Sequence, residues 1–359
     1  MKIGIITFHW ATNRGAILQA YALQTYLSRL GHEVNIINYV PLNTIDCVIK
    51  SFRTKRVWRI LGNILRCLKN RTMYLNEHQF EKFRNEQLNL SRIYTSSKDL
   101  KANPPQYDVY ICGSDQIWNP SLTTSGERSY FLDFGGKDIK RIAYAASFGC
   151  MKYPKDLYQK VGALLGNFNA ISVRENSGCD IVNEMGINDV CVMPDPTLLL
   201  ESKDYDKFIS PLEEEEEFVL FYILHPNQKV IEKIKDYIRR NNNIIESEKV
   251  GIEEWLTLTK GAGLVVTNSF HGMVLSIIFN RPFIVVLVEG ELSSMNDRVF
   301  TLLGRLGLED RIVECYDEER MKDIMKREID WERVRSEIDC MRKEAGEFFE
   351  RSIRKLLPE

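Results

Sequence analysis

The chain lacks the features that mark several large classes of protein. Its 359 residues carry a formal net charge of −2, so its overall charge attracts neither nucleic acid nor an anionic membrane. No uninterrupted apolar run approaches the roughly 20 residues that a membrane-spanning helix needs. The first residues are too few and too weakly basic for a signal peptide, and they predict a buried strand instead. With 44% hydrophobic and 27% charged residues, the composition is typical of a globular protein of about two domains.

Cysteine and glycine patterns exclude further classes. None of the eight cysteines forms a C-x-x-C pair, and Cys112 and Cys191 fall in apolar strands. We therefore expect reduced thiols in a cytoplasmic protein, not disulfides or a zinc site. There is no G-x-x-x-x-G-K-[ST] or G-x-S-x-G motif, and Gly261 and Gly263 lack the third glycine of a dinucleotide fingerprint. No His, Cys and carboxylate cluster has metal-ligand spacing, so we expect neither a metal nor a cofactor.

The chain does contain an almost continuous alternation of strand and helix patterns. In the first half, short apolar runs predict strands at residues 3–8, 34–38, 107–112, 142–146, 171–174 and 190–193. In the second half, the patterns predict strands at 218–224, 263–267 and 283–288, and helices at 227–240, 252–260, 269–279, 296–306 and 318–327. This order predicts an α/β fold with two Rossmann-like domains facing a cleft, over residues 1–205 and 218–330. Apolar residues at helical spacing after Trp331 predict a long C-terminal helix, over 331–359, that packs back across the domains.

Residues 44–92 interrupt this alternation and predict a helical insertion in the first domain. Between Lys50 and Arg71 there are eight Lys or Arg residues and no acid, with apolar residues interleaved. Such a segment can lie on the anionic inner face of a membrane as a peripheral contact. It can equally cover the sheet or form a dimer contact. We favour covering or dimerisation, because most amphipathic helices bury their apolar face on their own protein.

Polar residues follow the predicted strands on the side where ligands bind in open α/β sheets. His271 follows the strand at 263–267 and opens a helix whose unpaired N–H groups suit an anion. Four other junctions of this kind flank the same predicted cleft. We therefore expect a binding site there, built from Asn13, Arg14, Asp115, Arg174, Ser269, His271, Gly272 and Arg298.

Several of these residues have a structural alternative. Asp115 could accept a sugar hydroxyl or cap the next turn. Arg174 could bind phosphate or carboxylate bidentately, or pair with Glu175 or another local acid. Trp118 could stack on a sugar or belong to the core. His271 could simply bond a backbone carbonyl.

Five sequence blocks, in this order, resemble the polysaccharide pyruvyl transferase family. They are NRGAILQAYAL at 13–23, GSDQIWNP at 113–120, SVRE at 172–175, PDPT at 194–197 and TNSFHG at 267–272. The resemblance runs from about residue 3 to about residue 311. It implies a fold like that of two-domain GT-B glycosyltransferases, with the donor bound by the second domain and the acceptor by the first. It also implies transfer of the enolpyruvyl unit of phosphoenolpyruvate to a sugar of a bacterial surface polysaccharide precursor, forming a pyruvate ketal and releasing phosphate.

The resemblance assigns roles to particular residues. His271 matches the family's histidine and would be the general acid that protonates the methylene carbon of phosphoenolpyruvate. Arg174 matches the family's arginine, and Asp115 matches an acid near the acceptor. Many members carry an arginine two residues before the histidine, where this chain has Ser269. Anion binding would then fall to Arg298, Arg174 or Arg14.

Two other classes of function remain open on the sequence alone. One is a GT-B-type glycosyltransferase that uses a nucleotide sugar in the same pathway. The other is a sugar-binding or assembly protein that kept the fold without catalysis. The expected partners of the enzyme are phosphoenolpyruvate and a saccharide acceptor, free or lipid-linked, and not nucleic acid. The sequence does not specify the acceptor sugar or the oligomeric state.

Overall fold

The computed structural model describes residues 1–41, 71–123, 127–212, 217–225, 229–240, 242–247 and 250–354. Its first sheet has six parallel strands in the order β2-β1-β3-β4-β5-β6. They are β1 (Lys2–Ile6), β2 (Glu33–Ile36), β3 (Val109–Cys112), β4 (Lys140–Ala146), β5 (Ala170–Val173) and β6 (Val190–Val192). Since every pair is parallel, the carboxyl ends of all six strands meet at one edge.

The second sheet has five parallel strands in the order β11-β10-β9-β7-β8. They are β7 (Phe218–Tyr222), β8 (Asn243–Glu246), β9 (Leu264–Thr267), β10 (Phe283–Val286) and β11 (Ile312–Val313). Strands β7, β9 and β10 are fully buried, as expected for parallel strands covered on both faces.

Helices cover the sheets and connect their strands. The described helices are α1 (Arg14–Arg29), α2 (Arg71–Gln87), α3 (Ser97–Ala102), α4 (Tyr158–Leu165), α5 (Asn176–Glu184), α6 (Ser202–Tyr205), α7 (Lys229–Arg239), α8 (Ile252–Gly261), α9 (Phe270–Ile278), α10 (Asp297–Leu306), α11 (Glu318–Lys326) and α12 (Trp331–Arg354). All nine residues of α9 are buried, so this helix, which contains His271 in its first turn, is enclosed by protein on every side.

The final helix contacts both halves. Phe349 of α12 stacks on Tyr144 of β4, with ring centroids 4.5 Å apart. On the other side, Arg305 of α10 donates to Glu344 of α12 at 2.7 and 2.8 Å. One apolar core therefore runs continuously from the first sheet, through α1 and α9, to α12.

The predicted α/β fold of two parallel sheets with a long final helix is confirmed, and each predicted strand lies within two residues of an observed one. The sheets lie on either side of the expected division between residues 205 and 218, although the domain boundaries themselves stay a prediction. The sequence reading missed β8 and β11. β8 is an edge strand with half-buried or exposed residues, and β11 has only two residues, so neither gives an apolar run.

Part of the predicted helical insertion is described. Helix α2 buries Phe83, whose ring lies 5.0 Å from that of Phe208 and 6.2 Å from that of Tyr21. The basic stretch up to residue 70, with Cys47 and Cys67, lies outside the described residues. The other six cysteines are free thiols. Within the described part of the chain, no helix is both long and apolar enough to cross a membrane.

Candidate functional site

A buried carboxylate lies at the centre of the charged residues that gather between the two sheets. Asp195 follows β6 and is 1% exposed. Its Oδ2 accepts hydrogen bonds from Arg174 Nη1 at 2.7 Å and from Ser114 Oγ at 3.2 Å, and lies 3.4 Å from His271 Nε2. Its Oδ1 accepts from the backbone N–H and the hydroxyl of Thr197 at 3.0 and 2.8 Å. Asp195 thereby joins the ends of β3, β5 and β6 to the second half of the molecule.

Two opposing effects set the pKa of the Asp195 carboxyl. Burial raises this pKa, but the proximity of His271, the charge of Arg174 and the N–H of Thr197 outweigh burial and hold it well below its usual range. Asp195 is therefore ionised at neutral pH. Its charge compensates that of Arg174 and would also compensate a protonated His271 ring.

Arg174 follows β5 and uses only part of its hydrogen-bonding capacity. Its side chain is 1% exposed, and Nη1 is bound to Asp195. Its Nη2 lies 3.6 Å from Asp115 Oδ1, while Nε and Nη2 are buried without a hydrogen-bond partner among the described residues. Its guanidinium carbon lies 4.8 Å from the centre of the Phe270 ring. A buried guanidinium with two unused N–H directions is a site for an oxygen-rich anion.

Arg298, in the first turn of α10, shares the same aromatic ring. Its guanidinium carbon lies 5.3 Å from the centre of Phe270, and its buried Nε has no partner within the described ranges. Burial, and next the positive charge of Arg174, lower the pKa of Arg298 to about 10. The charges of Asp115, Glu175 and Asp195 partly offset this lowering, but N–H groups of both arginines are left without an acceptor. A bound anion would supply that acceptor.

His271 lies in the first turn of α9 and completes the group. Its side chain is 9% exposed, and Nε2 is buried without an aligned hydrogen bond to any described residue. The ring of Phe270 packs edge-on against the imidazole, with centroids 5.4 Å apart. His271 therefore presents a buried ring nitrogen beside Asp195, in the same cluster as the unsatisfied N–H groups of Arg174 and Arg298.

Small residues allow this close approach of the two halves. A Cβ added at Gly15, in the first turn of α1, would overlap the His271 ring. A Cβ added at Gly272 would lie 2.6 Å from Thr267 Oγ1. Ser269 is the N-cap of α9, where its hydroxyl accepts from Gly272 N at 3.3 Å. The predicted residues Ser269 and Gly272 thus shape the helix start that carries His271.

Asp115 lies between β3 and the arginine pair. Its backbone has φ = 72°, an uncommon conformation for a residue other than glycine, and such strain recurs at functional sites. Its Oδ1 accepts from the N–H of Gln116 at 2.8 Å and faces Arg174, and the side chain is 13% exposed. Asp115 is therefore both a local cap and an acid that reaches the site.

The structure brings together Asp115, Arg174, His271 and Arg298, but it directs two other predicted residues elsewhere. Asn13 is exposed and caps α1, where its Oδ1 accepts from Ala16 N at 3.2 Å. Arg14 donates from Nε to the Val250 carbonyl at 2.8 Å and lies over the ring of Tyr222. Both contacts are structural in this arrangement.

Three contributors escaped the sequence reading as site residues. Asp195 was quoted only within the PDPT block of the family resemblance, Phe270 only within the TNSFHG block, and Glu175 only within the SVRE block and as a structural partner for Arg174. An acid fixed between prolines directly after a strand was the available signal for Asp195. Trp118 takes its structural alternative, since it is fully buried and stacked on Phe131 with centroids 5.4 Å apart.

A small crevice opens beside the charged cluster. Its walls include Arg174, Asp195 and Phe270 on one side and Thr301 and Arg305 of α10 on the other. A second crevice of similar size lies against the core of the first half, around Pro120 to Leu164, and contains none of the clustered groups. Across the described ranges, no group of three His, Cys, Asp or Glu side chains is placed to hold a metal ion.

Comparison with known proteins identifies one family. The model of the polysaccharide pyruvyl transferase family matches residues 13–289. No curated protein matches the chain.

Several solved structures align with most of the chain, each with a TM-score below 0.5. UDP-GlcNAc 2-epimerase from Neisseria meningitidis is 12% identical, with 97% of this chain and 99% of that chain covered and a TM-score of 0.44. A putative UDP-N-acetylglucosamine 2-epimerase from Listeria monocytogenes is 9% identical, with 95% and 90% covered and a TM-score of 0.47. The spinosyn forosaminyltransferase SpnP is 12% identical, with 99% of each chain covered and a TM-score of 0.46. At these scores, nothing about substrate follows from the likeness.

Proposed function

The chain belongs to the polysaccharide pyruvyl transferase family, and we propose that it transfers the enolpyruvyl unit of phosphoenolpyruvate to a sugar of a surface polysaccharide precursor. The product would be a pyruvate ketal, with phosphate released. The observation that carries this proposal is the group of buried, unpartnered nitrogen atoms on Arg174, Arg298 and His271. Phosphoenolpyruvate has a phosphate and a carboxylate on adjacent positions, which suits two guanidinium groups held on one ring.

The donor is bound between the arginines in this proposal. Arg174 and Arg298 offer planar N–H donors that match phosphate and carboxylate oxygens. Asp195 fixes Arg174 through Nη1, so the remaining N–H groups keep one orientation before the ligand arrives. Ser269 supplies no charge at the position where many family members carry an arginine. In this proposal, Arg174 and Arg298, which both lie over the Phe270 ring, supply the positive charge instead.

The reaction begins with a proton. His271, protonated and compensated by Asp195, donates from Nε2 to the methylene carbon of phosphoenolpyruvate and makes C2 cationic. A sugar hydroxyl then attacks C2, with Asp115 accepting its proton or anchoring the hydroxyl. A second hydroxyl displaces phosphate and closes the ketal. The step from enol to cation is the one that needs an acid at His271.

Ligand binding tests the donor. The purified protein is titrated calorimetrically with phosphoenolpyruvate and separately with UDP- and GDP-sugars. We expect binding of phosphoenolpyruvate that is lost in Arg174→Ala and kept in Arg335→Ala, a matched change at an exposed arginine of α12. Binding of nucleotide sugars alone would reject this donor and support a glycosyltransferase.

Phosphate release tests the chemistry. We expect the protein to release phosphate from phosphoenolpyruvate when a panel of mono- and disaccharides contains a suitable acceptor. His271→Asn should keep donor binding but abolish release, because the proton donor is gone. A variant that still transfers at the normal rate would remove His271 from the catalytic role. Undiminished biological activity of such a variant would favour a non-catalytic protein.

The place of action is a separate part of the proposal. We expect a cytoplasmic enzyme whose acceptor is a precursor, free or lipid-linked, at the inner face of the membrane. The basic stretch at residues 50–71 would provide peripheral contact, and most of it lies outside the described residues. Flotation with anionic vesicles tests this, and unchanged binding after neutralising Arg53, Lys55, Arg56 and Arg59 would reject it.

A further inference from the structure

Glu175, the residue after Arg174, has one oxygen fully engaged and the other unused. It is the N-cap residue of α5, but its side chain makes no capping hydrogen bond to that helix. Its Oε1 accepts three hydrogen bonds, from Ser147 Oγ at 2.9 Å, Phe148 N at 2.8 Å and Gly149 N at 3.1 Å. Its Oε2 is buried without a partner among the described residues, and the whole residue is 1% exposed. A buried oxygen in this state needs a ligand, a proton or both.

The groups that face Glu175 come from four elements. Arg174 precedes it in the chain and Arg298 faces it from α10, and their positive charges act on the carboxyl. Cys150, after β4, and Cys179, within α5, feel the charge of Glu175 in turn. Burial raises the pKa of Glu175. The charge of Arg174, the hydrogen bonds from Gly149 and Ser147 and the charge of Arg298 lower it by less in total, so the net direction is upward.

An anion on the arginines would shift this balance further. It would neutralise the two charges that favour the carboxylate, and it would add a like charge beside it. Both changes favour the neutral acid. A protonated Glu175 would also satisfy its unused oxygen, because the Oε2–H group could donate to an oxygen of the bound anion while Oε1 keeps its three donors.

We propose that Glu175 takes up a proton when an anion binds between Arg174 and Arg298, and that its Oε2 then donates a hydrogen bond to that anion. The site therefore binds an anion and a proton together. This proposal goes beyond recognition of the donor by the arginines. It assigns a second proton-carrying residue, Glu175 in the first half of the molecule, in addition to His271 in the second half.

The proton has a use in the reaction, which rests on the proposed function. After His271 protonates C3, the first hydroxyl adds to C2 and loses its proton to Asp115, and the C2–O bond to phosphate must then break. Glu175 gives its Oε2 proton to the bridging oxygen, so that phosphate leaves as the monohydrogen dianion. The second hydroxyl attacks C2 and loses its proton to the Glu175 carboxylate. The carboxyl is thus restored, and atoms and charges balance.

Linkage fixes the sign of the pH dependence. Because the bound state would hold the proton more tightly, affinity for the anion is highest below the pKa of Glu175 in the free protein. It falls as pH rises from that pKa to the higher pKa of the complex, and then levels off. The fall is about tenfold for each unit between the two values. Glu175→Gln mimics the neutral acid at every pH, so its affinity should not fall through this window.

Calorimetry with sulfate tests the proposal, since sulfate keeps its charge between about pH 5 and pH 9. Titrations in two buffers of different ionisation enthalpy measure the protons taken up per sulfate. We expect uptake in the wild type that decreases in Glu175→Gln, and tighter binding by Glu175→Gln than by the wild type at pH 8. Glu184→Gln, an exposed change on the same helix, should behave like the wild type.

His271 is the competing proton carrier, and His271→Asn separates the two. Uptake that persists in His271→Asn supports Glu175, and this measurement stands even if Glu175→Gln does not fold. Uptake that vanishes in His271→Asn, or is unchanged in Glu175→Gln, overturns the inference while leaving the anion site intact. If the wild type binds neither sulfate nor phosphoenolpyruvate, the proposed function is overturned instead.

Discussion

Two arginine–aromatic contacts join the halves of the molecule, and they differ in what their nitrogen atoms meet. In one, Arg14 of α1 lies 5.4 Å over Tyr222 of β7 and donates from Nε to the Val250 carbonyl at 2.8 Å. In the other, Arg174 lies 4.8 Å over Phe270 of α9, and its Nε and Nη2 have no partner in the described part of the chain. The ring contact is similar in kind at both places. Only the second leaves donors for a ligand.

Under the proposed function, the Arg14–Tyr222 contact stabilises the protein, and the Arg174–Phe270 contact binds an anion. A backbone carbonyl satisfies a guanidinium permanently and fixes the two halves against each other. At Phe270, Asp195 accepts from only one nitrogen of Arg174, and a second cation, Arg298, lies on the same ring with its pKa lowered to about 10 by burial and by the charge of Arg174. Like charges held together with some buried N–H groups left unsatisfied favour the proposal of an anion site at Phe270.

The largest effect should follow from Arg174→Ala, which removes the centre of the second contact. Phosphoenolpyruvate affinity should fall by about 100-fold or more, because charge-assisted hydrogen bonds contribute about 1.5–3 kcal/mol each. The free energy of unfolding should also fall, by about 3–5 kcal/mol, since Asp195 is left buried with one cation fewer. Calorimetry and urea unfolding measure the two losses. An unchanged free energy of unfolding would show that the buried Asp195 carboxylate does not need its ion pair with Arg174.

Arg298→Met should separate affinity from stability. We expect phosphoenolpyruvate affinity to fall by about 10- to 100-fold through loss of charge-assisted bonds. The folded-state pKa of about 10 is below the ordinary 12.5, so the charged side chain costs stability at neutral pH, and its removal should not lower the free energy of unfolding. A marked loss of stability would contradict the view that this cation is held for a ligand.

The sequence predicted the edge at which these charged residues gather better than it predicted the contacts among them. Short apolar runs separated by helix patterns indicate parallel strands, and parallel strands place their carboxyl ends together. That reasoning brings Asp115, Arg174 and His271 to one cleft. It depends only on local patterns, which the chain carries clearly.

Partners across the cleft were not predictable in the same way. The acceptor for Arg14 is the backbone carbonyl of Val250, 236 residues away, and no side-chain pattern encodes a carbonyl. The role of Asp195 likewise depends on how the end of β6 approaches α9, which is a tertiary property. Arg14 and Arg298 therefore looked equivalent in the sequence, and only packing distinguishes them.

Arg14→Met tests the first contact. We expect the free energy of unfolding to fall by about 1–3 kcal/mol, because the Val250 carbonyl loses its charged donor while the methionine keeps apolar contact with Tyr222. Phosphoenolpyruvate affinity should stay within about twofold of the wild type, because Arg14 donates to the Val250 carbonyl in this arrangement. A large loss of affinity with unchanged stability would reverse the assignment of the two contacts.

The smallest effect should come from Asn13→Ala, immediately before Arg14. Asn13 is exposed, and its Oδ1 accepts from Ala16 N at the start of α1, so the expected loss is that of an N-cap, about 1 kcal/mol of unfolding free energy. Asn13→Asp should recover that loss, because aspartate caps as well as asparagine. Binding of phosphoenolpyruvate should be unchanged in both variants. If Asn13→Ala weakens donor binding tenfold without affecting stability, the start of α1 takes part in donor binding. The assignment of Arg14 as a stabilising arginine and Arg174 as a binding arginine would then be wrong.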